Sequence, residues 1–362
     1  MKSYKNLKEE VWDTNRCSGC GACVAVCPVN NLYFVEESPV KFECDECSCI
    51  LIPTDITTEH PISAEFCKTV VYDVPCGSCY DACPRIKKSS VPKKDGLGNI
   101  LKAVKAKSLI EIKNAQNGGV VTAILANAFE EGLIDGAIVM IDDKFTLEPT
   151  SYLSLSKEDV IKAAGSKYLW KGPILKSLKT AVMEKKLKKL AVVGTPCVIN
   201  AITQIMASAD NDLLKPFKNA IRLKIAIFCF ETYDYNKMIK KLKSEGIEPW
   251  EIRKMDIESG KLKIKLINGD VVEYKLKDLE DLMRSGCKVC GDFTGLTSDI
   301  SVGNVGSEEG YSTVLIRNKW GEGFFKRAVY NGYLTYDEDV DLEAVKKLSE
   351  LKKSRVKNKN KN

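Results

Sequence analysis

The chain of 362 residues has room for about two or three domains, and its 44% hydrophobic and 29% charged residues are typical of a soluble globular protein. It contains no apolar run of about 18 residues and no apolar leader, so the sequence predicts a cytoplasmic protein without a membrane span. The net charge of +6 is moderate, and the basic residues lack the interleaved aromatic residues that a nucleic-acid-binding face requires.

Composition changes along the chain and divides it into segments. We expect a cysteine-rich, ferredoxin-like α+β domain over residues 1–86, with an insertion at 44–67. Residues 87–99 are rich in Lys, Ser, Pro and Gly, which indicates a linker. Strand and helix patterns alternate over 100–345, and the Lys-rich residues 346–362 indicate a basic tail that is solvated and frayed.

Cysteine is the most informative residue type in the amino-terminal domain, which we call the head. Eleven of the fifteen cysteines lie between Cys17 and Cys83. In a chain without a secretion signal, closely spaced thiols usually bind metal rather than form disulfides. The single histidine, His60, excludes any mechanism that needs two histidines.

The first cysteine run of the head ends in Cys27-Pro28 and has the spacing of bacterial ferredoxins. In that pattern three thiolates bind three corners of a cubane, and the fourth binds the neighbouring cluster. Zinc is the main alternative, although zinc sites usually pair two CxxC segments. Together with a second run that ends in Cys83-Pro84, crossed ligation predicts one [4Fe–4S] cluster on Cys17, Cys20, Cys23 and Cys83.

The second cysteine run is incomplete. Crossed ligation assigns Cys27, Cys76 and Cys79 to a second [4Fe–4S] cluster and leaves the fourth ligand open. Asp73 lies at the missing position, Cys67 lies upstream, and a three-iron cluster is a further alternative. We favour Cys67, because thiolate binds iron better than carboxylate does.

The head insertion adds a further candidate site. It contains Cys44-x2-Cys47-x-Cys49, and His60 follows eleven residues later. These residues fit a zinc site or an additional iron–sulfur site. Alternatively, one of the three thiols supplies the missing cluster ligand and the others are structural or free.

The segment after residue 100, which we call the body, has the pattern of an α/β domain. Leu133–Ile141, Leu190–Val193 and Ile221–Phe230 are apolar enough to be buried strands, and helical patterns separate them. We therefore expect a largely parallel sheet. Two β-type runs flank Asn268-Gly269-Asp270 and predict a hairpin, so the sheet gains an antiparallel annex.

The four remaining cysteines lie near predicted strand ends or in a CxxC pair. Cys197 follows the strand that ends at Val193, Cys229 ends the next strand, and Cys287 and Cys290 form the pair. Ligand sites collect at the carboxyl ends of strands in α/β sheets. These thiols would suit one more cluster if they converge, whereas Cys197 and Cys229 taken alone would be core residues.

Glycine-rich turns mark a candidate cofactor site in the body. Neither GxGxxG nor GxxxxGK[ST] is present, so the sequence signals neither a Rossmann dinucleotide site nor a P-loop. The turns at Gly118-Gly119 and Gly303-Asn-Val-Gly306 would let the backbone approach a phosphate, and the helix after Gly119 would offer its N–H groups. Ordinary tight turns are the alternative.

Several body motifs resemble those of the family of coenzyme F420 hydrogenase/dehydrogenase beta subunits. The motifs are Asn117-Gly-Gly-Val-Val-Thr, Glu130-Glu-Gly-Leu-Ile-Asp-Gly-Ala, Gly165-Ser-Lys-Tyr, Gly194-Thr-Pro-Cys, Phe228-Cys229, Cys287-Lys-Val-Cys290-Gly-Asp-Phe-Thr-Gly and Asp299-Ile-Ser-Val-Gly-Asn-Val-Gly-Ser. The resemblance implies an FAD- and [4Fe–4S]-binding domain in which Cys197, Cys229, Cys287 and Cys290 hold the cluster. It also implies cofactor contacts from Asn117, Gly118, Gly119, Thr122, Gly165, Ser166, Lys167, Tyr168, Gly194, Thr195, Gly303, Asn304 and Gly306.

The fused head narrows this resemblance to the electron-input subunit of F420H2 dehydrogenase and the amino-terminal half of F420-dependent sulfite reductase. The expected function is that of an oxidoreductase that moves electrons between F420 and a redox partner protein or catalytic subunit, in a larger complex. FAD and three [4Fe–4S] clusters would carry the electrons. The alternatives are a ferredoxin-dependent flavoprotein that reduces another substrate, and a polyferredoxin-like subunit without catalysis.

Overall fold

The structure, a computed structural model, describes residues 2–35, 59–86 and 96–359. The head consists of short elements that surround its cysteines. Tyr4, Leu7, Val11 and Trp12 form its small apolar core with Tyr80. Its elements are α1 (Tyr4–Leu7), a π-helical turn (Lys8–Trp12), α2 (Ala22–Ala25), β1 (Leu32–Tyr33), β2 (Ile62–Ser63), α3 (Lys68–Tyr72) and α4 (Ser78–Asp81), with β1 and β2 antiparallel.

The body contains a large sheet, an annex and the helices that cover them. Its strands are β3 (Lys102–Ser108), β4 (Gly136–Asp142), β5 (Pro149–Ser154), β6 (Leu169–Trp170), β7 (Leu190–Gly194), β8 (Ile221–Ile227), β9 (Tyr233–Asp234), β10 (Ile252–Glu258), β11 (Lys261–Leu266), β12 (Val271–Lys275), β13 (Ile300–Gly303), β14 (Ser312–Ile316) and β15 (Leu334–Asp337). Its α-helices are α5 (Val120–Glu130), α6 (Lys157–Lys162), α7 (Lys176–Lys179), α8 (Pro196–Ala207), α9 (Lys215–Ala220), α10 (Tyr235–Ser244), α11 (Ser285–Lys288), α12 (Lys319–Tyr330) and α13 (Leu342–Lys359). Short helical turns occur at Thr180–Glu184, Asp212–Leu214, Pro249–Glu251 and Leu276–Leu282.

The large sheet is mixed rather than largely parallel, which corrects the sequence-based expectation. Its strand order is β15-β3-β14-β13-β8-β7-β4-β5, and only the four central strands β13, β8, β7 and β4 pair in parallel. Two of the connections, β13 to β14 and β4 to β5, are short and contain no helix. Such connections can join only antiparallel neighbours, because a parallel crossover needs about a dozen residues.

Helices cover both faces of this sheet, because successive strand side chains point to opposite faces. In β4, Ala137 and Val139 pack with α5, α6 and α12, whereas Ile138 packs on the opposite side with α7, α8 and α9. The head packs on this second side, where Ala22 and Ala25 of α2 join the same core. The body therefore provides the surface on which the head is fixed.

The predicted hairpin is confirmed and gains a third strand. β11 pairs with β12 across Asn268-Gly269, and β10 pairs antiparallel with the other edge of β11. Leu262 and Ile264 of β11 are fully buried against α10 through Met238 and Leu242. This sheet is the antiparallel annex of the body.

The expected frayed tail is wrong for the described part of the carboxyl terminus. Residues Leu342–Lys359 form α13, which crosses the expected boundary at 345. Val345, Ser349 and Lys352 recur at spacings of four and three, and each is at most 2% exposed. These residues form one buried helix face.

The expected linker is described only in its last residues. Residues 87–95 lie outside the described residues, but the Arg317 guanidinium donates to the carbonyl oxygens of Leu97 and Asn99, which fixes the end of the linker on the body.

In the ranges that the structure describes, no helix is both long and apolar enough to cross a bilayer.

Candidate functional site

The structure brings Cys17, Cys20, Cys23 and Cys83 of the head together around a small cavity, which Leu7 and Trp12 also line. Burial raises the pKa of Cys17 to about 12, and the nearby Cys20 adds to the rise. Thiols in such a setting stay protonated unless a metal displaces the proton. We call these residues the proximal thiol group.

A local backbone conformation allows the chain to wrap the proximal thiol group. Gly19 and Gly21 have φ values of +62° and +83°, which side chains rarely allow. A Cβ at Gly21 would also overlap Pro173 of the body. The glycines therefore serve both the thiol loop and its close contact with the body.

The second thiol group of the head contains Cys27, Cys67, Cys76 and Cys79, which we call the distal thiol group. Burial raises the pKa of Cys79, and charges on Cys27, Cys76 and Cys67 raise it further. Cys67 is the amino-terminal cap residue of α3, whereas Asp73 is exposed at the other end of that helix. The structure thus brings Cys67 rather than Asp73 to the other three thiols.

The four body cysteines also converge, and we call them the body thiol group. Cys197 lies in the first turn of α8 after β7, Cys229 follows β8, and Cys287 lies in α11. Burial raises the pKa of Cys229, which charges on Cys287, Cys197 and Cys290 also raise. Because β7 and β8 are parallel, their carboxyl ends place two of these thiols at one edge of the sheet.

Two cations flank the body thiol group, and neither was among the site residues predicted from the sequence. The Lys352 ammonium donates to the carbonyl oxygens of Cys229 and Asp292 at 2.6 and 2.8 Å. The Arg85 guanidinium donates to the carbonyls of Val289 and Gly286, both at 3.4 Å. Burial acts to raise the pKa of Cys290, but the two cations outweigh it and lower that pKa to about 7.

The body thiol group lies next to the proximal thiol group. A Cβ at Gly286 would overlap the carbonyl oxygen of Cys17, so the segment that carries Cys287 touches the segment that carries Cys17. Arg85 follows the Cys83-Pro84 pair and acts on thiols of both groups, since it opposes the rise in the pKa of Cys17 and lowers the pKa of Cys290. The two groups are therefore neighbours across the boundary between head and body.

Polar and stacking contacts fix the same boundary. Arg284 donates to the carbonyl of Ser18 at 2.6 Å and stacks on Trp170, with its guanidinium carbon 3.5 Å from the ring centroid. The Trp170 indole N–H donates to the carbonyl of Gly19 at 3.3 Å. These contacts hold the proximal loop against the body.

The lining of the proximal thiol group suits an iron–sulfur cluster, in which each thiolate binds a different iron. The cavity enclosed by the proximal thiol group has the cysteine lining that a cluster requires.

The insertion site is divided between described and undescribed residues. Cys44, Cys47 and Cys49 lie outside the described residues. The His60 ring stacks on Trp12 with a centroid distance of 5.5 Å, and its Nδ1 lies 2.9 Å from the carbonyl oxygen of Pro61. His60 thus has packing contacts of its own.

The expected phosphate turn at α5 lies at the same sheet edge as the body thiols. β3 runs in the direction of β13, because both pair antiparallel with β14. Gly118 is wedged between Ala106 and Ser312, where a Cβ would not fit, and Gly119 begins α5 without a side-chain cap. Thr122, in the first turn, is buried. The first turn of α5, whose N–H groups receive no side-chain cap, therefore lies at this edge of the sheet.

The other two expected cofactor turns connect to this one. The Asn117 amide oxygen accepts from the Gly310 N–H at 2.7 Å, and the Ser166 N–H donates to the amide oxygen of Gln116 at 3.4 Å. Gly303 lies at the end of β13 with Asn304 next to it, and Gly306 has a φ of +95°. The structure therefore brings the Asn117, Ser166 and Gly303 turns to one region.

Four further expected cofactor residues have contacts with the protein itself. The Lys167 ammonium donates to the carbonyls of Ala163, Ala164 and Gly165 at 2.7–3.1 Å, so it is not a solvated surface lysine. Gly194 packs closely on Val198, and the Thr195 hydroxyl lies 3.1 Å from the Cys197 sulfur. Burial raises the pKa of Tyr168, whose hydroxyl donates to Asp256.

The head motif and the mixed sheet define the class of protein: a ferredoxin-type iron–sulfur domain fused to an α/β domain. Residues 10–33 match the 4Fe-4S binding domain. Residues 103–179 match the amino-terminal domain of the coenzyme F420 hydrogenase/dehydrogenase beta subunit, and residues 187–341 match its carboxyl-terminal domain. The chain belongs to this family of beta subunits, which confirms the resemblance found in the sequence.

Relatives extend the likeness to the head. The chain is 86% identical to an uncharacterized protein of Methanocaldococcus jannaschii over 99% of both chains. It is 36% identical to the coenzyme F420-dependent sulfite reductase of the same organism, over 98% of this chain and 52% of that protein. It is 29% identical to one of the subunits of the F(420)H(2) dehydrogenase of Methanosarcina mazei, over 95% of this chain and 91% of that relative.

A solved structure supports the fold of the body. A chain of the F420-reducing [NiFe] hydrogenase complex from Methanosarcina barkeri superimposes with a TM-score of 0.69 and 29% identity. The match covers 74% of this chain and 94% of that one. The mixed-sheet body is therefore the fold of a subunit known from a larger redox complex.

Proposed function

We propose that this protein exchanges electrons between coenzyme F420 and a redox partner through FAD and three [4Fe–4S] clusters. Family membership supports an F420-linked oxidoreductase role in general. The observation that carries the specific proposal is the adjacency of the body and proximal thiol groups, joined at Gly286 and Cys17. Two electron carriers in contact across a domain boundary are the arrangement that a relay requires.

In this proposal each of the three thiol groups binds one [4Fe–4S] cluster. The clusters would be held by Cys17, Cys20, Cys23 and Cys83, by Cys27, Cys67, Cys76 and Cys79, and by Cys197, Cys229, Cys287 and Cys290. In this order the distal thiol group would follow the proximal thiol group, because Cys27 and Cys83 are exchanged as ligands between the two halves of the head. Electrons would leave the chain there toward a partner protein or a catalytic subunit.

A flavin is needed where two-electron and one-electron chemistry meet. A deazaflavin gives up hydride, cubanes take single electrons, and FAD supplies the conversion between them when bound. The first turn of α5 would hold its pyrophosphate through backbone N–H groups, with Gly118 allowing close approach. Asn117 and Ser166 would fix the adjoining turns around the cofactor.

Lys167 enters this proposal in a changed role. The family resemblance implied that Lys167 contacts the cofactor, but its ammonium is held by three backbone carbonyls. We propose that Lys167 shapes the Gly165–Tyr168 turn. The cofactor would then contact the turn's backbone rather than the lysine.

The insertion carries a separate proposal. Cys44, Cys47 and Cys49 would bind about one zinc ion per chain. Metal analysis of protein with complete iron sites tests this proposal. Absence of zinc would leave these thiols with a structural role or as free thiols.

The function is tested with anaerobically purified protein. Its visible spectrum should contain flavin as well as cluster absorption, which separates the proposal from a polyferredoxin-like subunit without flavin. Reduced F420 should bleach the flavin and sustain reduction of an artificial one-electron dye. NADH and NADPH should do neither, because the usual glycine-rich pyrophosphate turn is missing from the sequence. Rapid NADPH oxidation with inert F420 would overturn the proposal.

A further inference from the structure

Lys352 is a buried lysine at the body thiol group. Its side chain is 2% exposed, and its ammonium donates to the carbonyl oxygens of Cys229 and Asp292. Burying an ammonium is unfavourable unless nearby negative charge compensates it. Two carbonyl dipoles supply only part of that compensation, so further negative charge is expected close by.

Thiolates are the main source of that negative charge. In the described part of the chain, no carboxylate forms an ion pair with Lys352. The Asp292 carboxylate is nearby but accepts from the N–H groups of Gly295 and Leu296. Cys290, Cys229 and Cys287 are the other anionic groups that act on the ammonium. The Asp292 carboxylate and these three sulfurs are therefore the negative groups around the ammonium, and the sulfurs act on it more strongly.

α13 holds the lysine in place through a second cation. The Arg355 guanidinium pairs with Glu231 at 2.5 Å and donates to the carbonyl of Cys287 at 3.4 Å. Residues three apart share one face of a helix, so Lys352 and Arg355 contact the thiol-bearing segments together. The Glu231 carboxylate neutralises Arg355, which leaves Lys352, with Arg85 of the head, as the cations that act on the body sulfurs.

Lys352 lies beyond the segment that matches the family's carboxyl-terminal domain. The match to the family's carboxyl-terminal domain ends at residue 341, and α13 begins at Leu342. We propose that Lys352 is a positioning residue of the body cluster, whose permanent charge stabilises the thiolate-bound cluster and raises its reduction potential. This inference rests on the proposed function only in assuming that Cys197, Cys229, Cys287 and Cys290 hold a [4Fe–4S] cluster.

The physical basis is the charge that the cluster gains on reduction. One electron from the reductant enters the cluster, the negative charge of the site rises by one, and Lys352 keeps its proton. A fixed positive charge in a poorly solvated site stabilises the more negative, reduced form. Removal of that charge should therefore lower the reduction potential of the body cluster, whose thiol-bearing segments Lys352 contacts, and leave the distal cluster unchanged.

The test compares three variants of the full chain in an anaerobic redox titration with dithionite, followed by electron paramagnetic resonance. Lys352→Gln removes the charge but keeps a donor for the two carbonyls, and Lys352→Arg keeps the charge. Lys346→Gln is the matched control, because Lys346 is exposed on the same helix. Lys352→Gln should shift the equilibrium constant for body-cluster reduction at least tenfold toward the oxidised form, about 59 mV for a one-electron couple.

Each outcome of this titration decides whether the charge of Lys352 acts on the body cluster. A lowered potential in Lys352→Gln, with wild-type values in Lys352→Arg and Lys346→Gln, supports it. Loss of about four irons from Lys352→Gln but not from Lys352→Arg also supports it, because the cluster then depends on the charge. Full iron with an unchanged potential in Lys352→Gln overturns it, as does equal iron loss from both Lys352 variants. Failure of the cluster itself is recognised separately, by unchanged iron in a Cys287→Ser, Cys290→Ser double variant.

Discussion

The head and the body gather their thiols in different ways. In the head, each group takes at least two ligands from one closely spaced run and the others from elsewhere in the head, and turns at Gly19 and Gly21 wrap the chain around the sulfurs. In the body, the CxxC pair is joined by Cys197 and Cys229, which the parallel strands β7 and β8 deliver to one edge of the sheet. The comparison teaches that both kinds of site start from a local cysteine pair or run, and that the body site is completed by the large sheet.

The largest expected effect is the loss of one whole cluster, from either the body or the head. Cys287→Ser combined with Cys290→Ser should remove about four irons per chain, the content of one cubane, and leave the head clusters. The reciprocal variant, Cys76→Ser with Cys79→Ser, should remove the distal cluster and leave the body cluster. Iron analysis with electron paramagnetic resonance checks both. Loss of all iron from either variant would contradict the independence of the two regions.

A smaller effect is expected at the irregular position of the head. Cys67→Ser should cost the distal cluster at least one iron, because the structure places Cys67 beside Cys79. Asp73→Asn is the matched control and should keep full iron, since Asp73 is exposed beyond α3. Iron content and the cluster's spectrum measure the difference. The opposite ranking of the two variants would make the carboxylate the ligand.

The contact between head and body can be weakened by one methyl group. Gly286→Ala should destabilise the protein by about 1–3 kcal/mol, because its Cβ would overlap the Cys17 carbonyl and force the backbone to move. Gly291→Ala is the control, since its Cβ would lie 3.6 Å from the Lys353 side chain, an ordinary contact. Denaturant unfolding measures both. Equal midpoints for the two variants would show that the boundary is loosely packed.

The smallest effect concerns the contacts of one side chain across the same boundary. Trp170→Phe removes the indole N–H that donates to Gly19 and part of the ring on which Arg284 stacks, and it should cost about 1–2 kcal/mol with iron content unchanged. Trp250→Phe is a suitable control, because Trp250 is half exposed in the body. Thermal unfolding compares the two variants. A larger loss for Trp250→Phe than for Trp170→Phe would contradict this account of the boundary.

The sequence predicted the features that depend on local spacing. The hairpin at Asn268-Gly269 and the family motifs were correct for this reason. The mixed sheet was not predicted, because β14 and β5 reverse direction through connections whose geometry is set by tertiary packing.

Neither cation at the body thiol group was predicted. Lys352 lies in a Lys-rich segment whose pattern is the same as that of a solvated tail, and only docking of α13 buries it. Arg85 carries no motif beyond its place after Cys83-Pro84. Their roles follow from contacts with segments that lie far away in the sequence.

The most direct test of the central claim follows electrons from F420 into the head. Reduced F420 is mixed anaerobically with the wild-type chain and with the Cys287→Ser, Cys290→Ser double variant, while flavin absorbance and the signals of the head clusters are recorded. In the wild type, the flavin should bleach and the head clusters should become reduced. In the double variant, the flavin should still bleach while the head clusters stay oxidised. Equally fast reduction of the head clusters in both proteins would contradict a relay through the body thiol group.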